Sequence, residues 1–132
     1  MAAVDRVHLP APMDLFPIVA PPRPAAGLAW VYILQSNAGS FYVGLSTDVG
    51  ERLRKHRLGL GSKYTKDHAV SRLVHVEGPF DLTDAVARER QLKGWSRAKK
   101  MALIRGDVVA LRLLSRSRES TGASQAGVAD RA

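Results

Sequence analysis

WVYILQSNAGSFYVG, Trp30 to Gly44, sets two apolar runs on either side of a short polar connection. Val31, Tyr32, Ile33 and Leu34 form the first run, Ser36, Asn37, Ala38, Gly39 and Ser40 supply turn chemistry, and Phe41, Tyr42 and Val43 resume. This pattern predicts a β-hairpin with a longer loop. Side chains alternate along a strand, so Trp30, Tyr32 and Leu34 share one side while Val31 and Ile33 share the other. Tyr32 and Tyr42 then point toward one region wherever the register allows it. Gly44 ends the second strand at a place where a side chain would obstruct another backbone or a ligand.

Before the hairpin, residues 1–28 contain Pro10, Pro12, Pro17, Pro21, Pro22 and Pro24 among alanines, with no sustained period. They read as an irregular or disordered leader; for the cluster Leu15, Phe16, Ile18 and Val19 a floppy arm is favoured over docking on the domain. After the hairpin, Ser46, Thr47 and Asp48 offer caps for a helix of about three turns carrying Val49, Leu53 and Leu58, stopped by Gly59 to Gly61. Arg52 and His56 stand four apart on one face of it, with Arg54, Lys55 and Arg57 alongside. The loop GLGSKYTKD, Gly59 to Asp67, places Lys63, Tyr64 and Lys66 to touch an anion but lacks the spacing of a Walker phosphate loop. Val70 to Val76 predicts a third strand ending at Gly78 and Pro79.

Thr83 or Asp84 starts a second helix in which Ala85, Val86, Glu89, Leu92 and Lys93 recur at intervals of three and four. A carboxylate beside an apolar face is costly unless compensated, so Glu89 requires a cationic partner or a metal. Lys93, four residues on, is the plain intrahelical partner. Ser96 caps a third helix, Arg97 to Arg105, stopped by Gly106, and Asp107 caps a fourth from Val108 to about Arg116. That last helix carries a leucine stripe suited to core packing or a dimer surface. From Ser117 serine, glycine and alanine dominate, giving three expected parts: leader 1–28, one domain 29–115, and a disordered tail 116–132.

Twenty lysines and arginines against 12 acidic residues give the 132-residue chain a formal net charge of +8. Such a surface suits a polyanion, with nucleic acid ahead of a membrane surface. The chain has no cysteine, which excludes disulfides and thiolate metal sites and suits a reducing cytoplasm. No stretch has the length and apolarity of a membrane span, so no membrane partner is expected.

Phosphodiester hydrolysis needs an activated water, a cation for the charge that builds on phosphorus, and help for the leaving oxygen. A phenol is a poor base at neutral pH unless nearby cations favour the phenolate. An arginine can bind phosphate through two parallel hydrogen bonds, and one carboxylate plus water and substrate oxygens suits Mg²⁺ or Mn²⁺. Tyr32, Tyr42, Arg52, His56 and Glu89 supply these roles together. Taken singly, Tyr32 also fits a packed strand tyrosine and His56 a helix-surface histidine.

This ordered set resembles the GIY-YIG nuclease family, particularly its small stand-alone bacterial members. Val31-Tyr32-Ile33 is similar to the GIY element without its glycine, and Tyr42-Val43-Gly44 to YIG with valine for isoleucine. Arg52 falls where the family has its phosphate-binding arginine, His56 at a position that relatives fill with histidine or tyrosine, and Glu89 at the metal-binding glutamate. Lys63-Tyr64-Thr65 and Lys93 to Lys100 are similar to the stand-alone branch, and the resemblance runs from about Ala29 to Ile104. The late asparagine of several relatives has no counterpart, since Asn37 in the hairpin loop is the only asparagine.

The resemblance implies an α/β (α+β) domain, a three-stranded antiparallel sheet flanked by helices, and metal-dependent endonuclease activity with Mg²⁺ or Mn²⁺. It implies that Tyr42 binds or deprotonates the attacking water, Tyr32 positions it, Arg52 holds the phosphate, Glu89 holds the ion and His56 orients or polarises Tyr42. The expected substrate is nucleic acid, DNA ahead of RNA, in a structure-selective repair or recombination role. Arg54, Lys55, Lys63, Tyr64, Lys66, Lys93, Arg97, Lys99 and Lys100 are the expected nucleic-acid contacts, with Tyr64 and Trp95 as stacking partners. A catalytically idle module gripping nucleic acid by charge is the alternative, and the oligomeric state is open.

Overall fold

The computed structural model describes residues 15–57 and 71–121. Its elements follow in the order β1 (Ala29–Ser36), β2 (Phe41–Ser46), α1 (Val49–Arg57), β3 (Ser71–Phe80), α2 (Leu82–Lys93), α3 (Arg97–Arg105) and α4 (Val108–Thr121). The sheet is antiparallel with strand order β2-β1-β3, the expected three-stranded arrangement flanked by helices. No helix among the described residues is long and apolar enough to cross a membrane.

β1 is central, and its apolar residues are therefore buried on both faces. Val31 and Ile33 join Val43, Val74, Ala85 and Leu92 in one cluster, against which Trp95, Met101 and Ile104 pack. Tyr32 and Leu34 join Val49, Leu53 and Leu73 in the other, with Trp30 and Tyr42 packed against it. The alternation read from the sequence thus separates an α2/α3 face from an α1 face. At the hairpin turn Ser36 N–H donates to Ser40 O at 2.9 Å and Gly39 N–H to Ser36 O at 2.8 Å, with Gly39 at φ 93°.

Helix ends follow their caps. Asp48 Oδ1 accepts from Glu51 N–H at 3.0 Å at the start of α1, and Ser96 caps α3, which ends at Gly106 in the left-handed region as expected. Three boundaries differ from the sequence reading. α2 starts at Leu82, because Asp81 rather than Thr83 or Asp84 captures an N–H, that of Asp84 at 2.8 Å. β3 passes through Gly78 and Pro79 to Phe80, with Ala29 paired to Phe80 beyond a register shift. Helix α4 continues to Thr121, past the residue where the tail was expected to begin. Residues 15–28 are irregular, yet Phe16 is buried in the α2/α3 cluster and Val19 packs against the α1 cluster. An aromatic and a β-branched side chain three apart suffice to dock what composition alone suggests is an arm.

Glu77 on β3 ties the sheet to α2. Arg88 donates to it through Nε at 2.6 Å and Nη2 at 3.0 Å, His75 Nε2 lies 2.8 Å from the same carboxylate, and Arg88 Nη1 donates to Gln91 at 2.6 Å. Burial alone would raise the Glu77 pKa, but the hydrogen bonds and charges of His75 and Arg88 outweigh it and bring it from 4.5 to about 2. A depressed carboxylate contributes stability that is complete above its unfolded pKa and is lost as pH falls toward the folded one. Glu77→Gln is accordingly expected to cost about 2 kcal/mol near neutrality. In urea titrations the gap from wild type should narrow between pH 5 and pH 2.

Candidate active site

Tyr32 occupies the central strand opposite Gly44. Its ring reaches across β2, and a Cβ on Gly44 would stand 2.5 Å from both Cζ and Oη of Tyr32. The close approach suggested by Gly44 is therefore that of a phenol. Tyr42 pairs across the sheet with Leu34, two residues from Tyr32 on the same face. The two rings lie 6.5 Å apart at 49°.

Helix α1 brings Arg52 and His56 to this face, held by the buried Val49 and Leu53. The His56 ring stands edge-on to Tyr42, with centroids 6.0 Å apart and planes at 77°. His56 is buried, and neither ring nitrogen has a hydrogen-bond partner among the described residues. Burial, and then the charge of Arg52, lowers its pKa, so the imidazole is neutral at physiological pH and keeps one donor and one acceptor. Arg52 itself is exposed.

Glu89 enters from α2 with its side chain 21% exposed and Lys93 Nζ 3.4 Å from Oε2. The intrahelical pair therefore exists, and the carboxylate also reaches Tyr32 electrostatically. Tyr32 feels Tyr42, Arg52 and Glu89 together. Its pKa is raised, chiefly by burial, with Tyr42 and Glu89 acting in the same direction and Arg52 against them. The Tyr32 hydroxyl is fully buried and makes no aligned hydrogen bond among the described residues, so the nearby Arg52 guanidinium acts on it by proximity. Held protonated, Tyr32 can donate to an incoming oxygen but cannot serve as a base at neutral pH. Tyr32, Tyr42, Arg52, His56 and Glu89 are thus brought together from β1, β2, α1 and α2.

No group of three or more His, Cys, Asp or Glu side chains suited to a metal occurs among the described residues. A single, partly exposed carboxylate is a hard oxygen donor. It fits Mg²⁺ or Mn²⁺, which keep much of their water and take substrate oxygens, and does not fit a metal that needs a protein-built cage.

The expected nucleic-acid contacts divide. Lys55 is exposed on α1, while Arg54 is exposed and paired with Glu51 at 2.7 Å. Lys93 is exposed apart from its Glu89 contact, and burial lowers the pKa of the partly buried Lys100. Lys99 departs from the expected open track: it is 8% exposed, with its ammonium 4.3 Å from the centre of the Trp95 ring. Arg97 is exposed but donates to Gly39 O at 2.7 Å and lies 4.7 Å over Phe41, which fastens α3 to the hairpin. Trp95 also carries the Arg88 guanidinium at 5.2 Å, so cations occupy the ring expected to stack on bases. Lys63, Tyr64 and Lys66 lie outside the described residues. The sequence reading missed the buried, unpartnered Trp30 indole N–H, whose signal was its place two residues before Tyr32 on the same face.

A family model described as the GIY-YIG catalytic domain matches residues 28–102, which include all five convergent residues. The chain is 39% identical over 74 residues to a UPF0213 protein of Haloquadratum walsbyi, covering 56% of this chain and 83% of that one. It is 40% identical over 76 residues to UPF0213 proteins of Staphylococcus aureus strains Mu3 and Mu50, covering 58% of this chain and 93% of theirs. No solved structure matches the chain significantly.

Gly44→Ala forces the buried Tyr32 ring to move and should cost about 1–3 kcal/mol, lowering Tm by roughly 5–15 °C in a thermal melt. Gly50→Ala is the control, because a Cβ on this α1 glycine meets only ordinary contacts at 3.7 Å and beyond. It should leave Tm unchanged or raise it.

Proposed function

Because the chain belongs to the GIY-YIG family and so carries a nuclease-type fold, we propose that it is a divalent-metal-dependent endonuclease acting on nucleic acid. The observation that carries this reading is the electrostatic convergence of Tyr42, Arg52 and Glu89 on the buried Tyr32 hydroxyl. Arg52, exposed at the mouth of the site, binds the scissile phosphate and neutralises charge as it builds on the non-bridging oxygens. Tyr32, kept protonated, donates a hydrogen bond that fixes the attacking water. Tyr42 binds that water and takes its proton as its own phenolic proton passes to the acceptor nitrogen of the neutral His56 packed against it. Glu89 is the residue that would hold Mg²⁺ or Mn²⁺, which when bound supplies positive charge to the leaving oxygen. The proposed substrate is DNA in preference to RNA, recognised by structure rather than sequence, in a cytoplasmic repair or recombination role. The net charge of +8 supports a polyanionic substrate.

Purified protein with Mg²⁺ or Mn²⁺ should nick members of a panel of branched, nicked, duplex and single-stranded labelled substrates, and EDTA should abolish the signal. Tyr42→Phe, Arg52→Ala and Glu89→Gln should each lower the rate by about 100-fold or more while circular dichroism and substrate binding persist. Salt-sensitive binding without turnover under any divalent ion would identify an idle binding module. Cleavage retained in all three variants would identify a contaminating nuclease. Either result overturns the proposal.

A further inference from the structure

Helix α1 carries Arg52 and His56 but has few anchors among the described residues. Of its nine residues only Val49, Leu53 and His56 are buried among those whose side chains are described, and His56 makes no hydrogen bond to a described residue. Two apolar anchors give a short helix a low barrier to local opening, since isolated helices of this length are unstable in water. Something else must keep the guanidinium and the imidazole facing the tyrosines.

The segment preceding β1 supplies it. At one end Phe16 N–H donates to Gln35 Oε1 at 2.8 Å, and the Phe16 ring lies 6.2 Å from Phe41 and 5.4 Å from the Arg105 guanidinium. Phe16 belongs to the cluster on the α2/α3 face. Three residues later Val19 packs against the cluster of Tyr32, Leu34, Val49, Leu53 and Leu73 on the opposite face. Its N–H donates to Leu73 O at 2.9 Å on β3, an edge strand. The chain therefore passes around the sheet edge between Phe16 and Val19. Pro21 continues to the first turn of α1, where its Cβ and Cγ come within 3.9 Å of a Cβ built on Gly50. All three lie outside residues 28–102, the span shared with the family.

We propose that residues 16–21 form a strap that clamps α1 against the sheet, making Val19 a positioning residue for Arg52 and His56. In its catalytic consequence this rests on the nuclease reading above, whereas the clamping of α1 does not. The strap joins both apolar clusters, so it fixes the height of α1 over the tyrosine face. A misplacement of about 1 Å in a phosphate-holding arginine can cost up to 100-fold in rate with little effect on ground-state binding. The effect should therefore fall on kcat and not on KM.

Full-length Val19→Asp and Val19→Ala proteins, compared with wild type and Val19→Ile, test this by hydrogen exchange and by steady-state cleavage. In Val19→Asp the amides of Leu53 to Arg57 should exchange about 10-fold faster or more, while those of α2 and α3 keep their protection. In the same variant kcat should fall about 10-fold with KM within about twofold of wild type, and Val19→Ile should restore both readouts. Should Val19→Asp unfold the whole domain, Val19→Ala, which removes only two methyl groups, reads the same comparison between helices. Unchanged protection of α1 in Val19→Ala overturns the strap, as does loss of protection shared equally by α1, α2 and α3. A wild-type protein without cleavage would overturn the nuclease reading alone and leave exchange to decide the strap.

Discussion

Tyr32 crosses β2 at a point where only a glycine leaves room, and the rest of the site depends on that crossing. The end of the phenol lies over Gly44, so its buried hydroxyl sits where a Cβ on that residue would stand. Tyr42, one step along the same face, and Arg52, from the helix that follows β2, act on that oxygen, and His56 from the same helix stands against Tyr42. Glu89 comes from a helix that packs against the opposite cluster, yet its charge acts on the same group. A methyl group at residue 44 would thus disturb five side chains at once, although it would touch only one.

Burial assigns the two phenols different work. An unpartnered hydroxyl in the interior is costly, and it persists in native structures where a ligand or water completes it. Tyr32 meets that description, with its charged form strongly disfavoured. In the proposed reaction proton abstraction is accordingly assigned to Tyr42. The buried, neutral His56 beside it brings no further positive charge, whereas the Arg52 guanidinium acts on both His56 and the Tyr32 phenol and, in the proposed reaction, meets the phosphate.

Much of this was legible in the sequence because the deciding signals are local. Strand alternation separated Tyr32 and Leu34 from Val31 and Ile33, and the clusters fall on opposite faces accordingly. Ser96 and Gly106 bounded α3 correctly because each is the sole residue of its kind at that end. Where neighbours compete, pattern failed: Asp81, Thr83 and Asp84 can all cap a helix, and only the backbone path selects Asp81. Cations were the other blind spot. Lysine reads as a solvated charge, but Lys99 sets its ammonium over Trp95, a choice made by an indole that tertiary packing delivers. For Glu89 the two readings were never exclusive, since pairing with Lys93 leaves its field free to act on Tyr32.

The clamp of Arg97 on the Gly39 carbonyl and the Phe41 ring belongs to a wider pattern. Arg88 is spent on Glu77 and Trp95, Arg105 lies over Phe16, and Arg54 faces Glu51. Such side chains hold the molecule together and are poorly placed to displace ions condensed along a polyanion. Counterion release is governed by the number of phosphates a surface actually neutralises. The ionic-strength dependence of any complex this protein forms will therefore be shallower than its formal excess of basic residues would suggest.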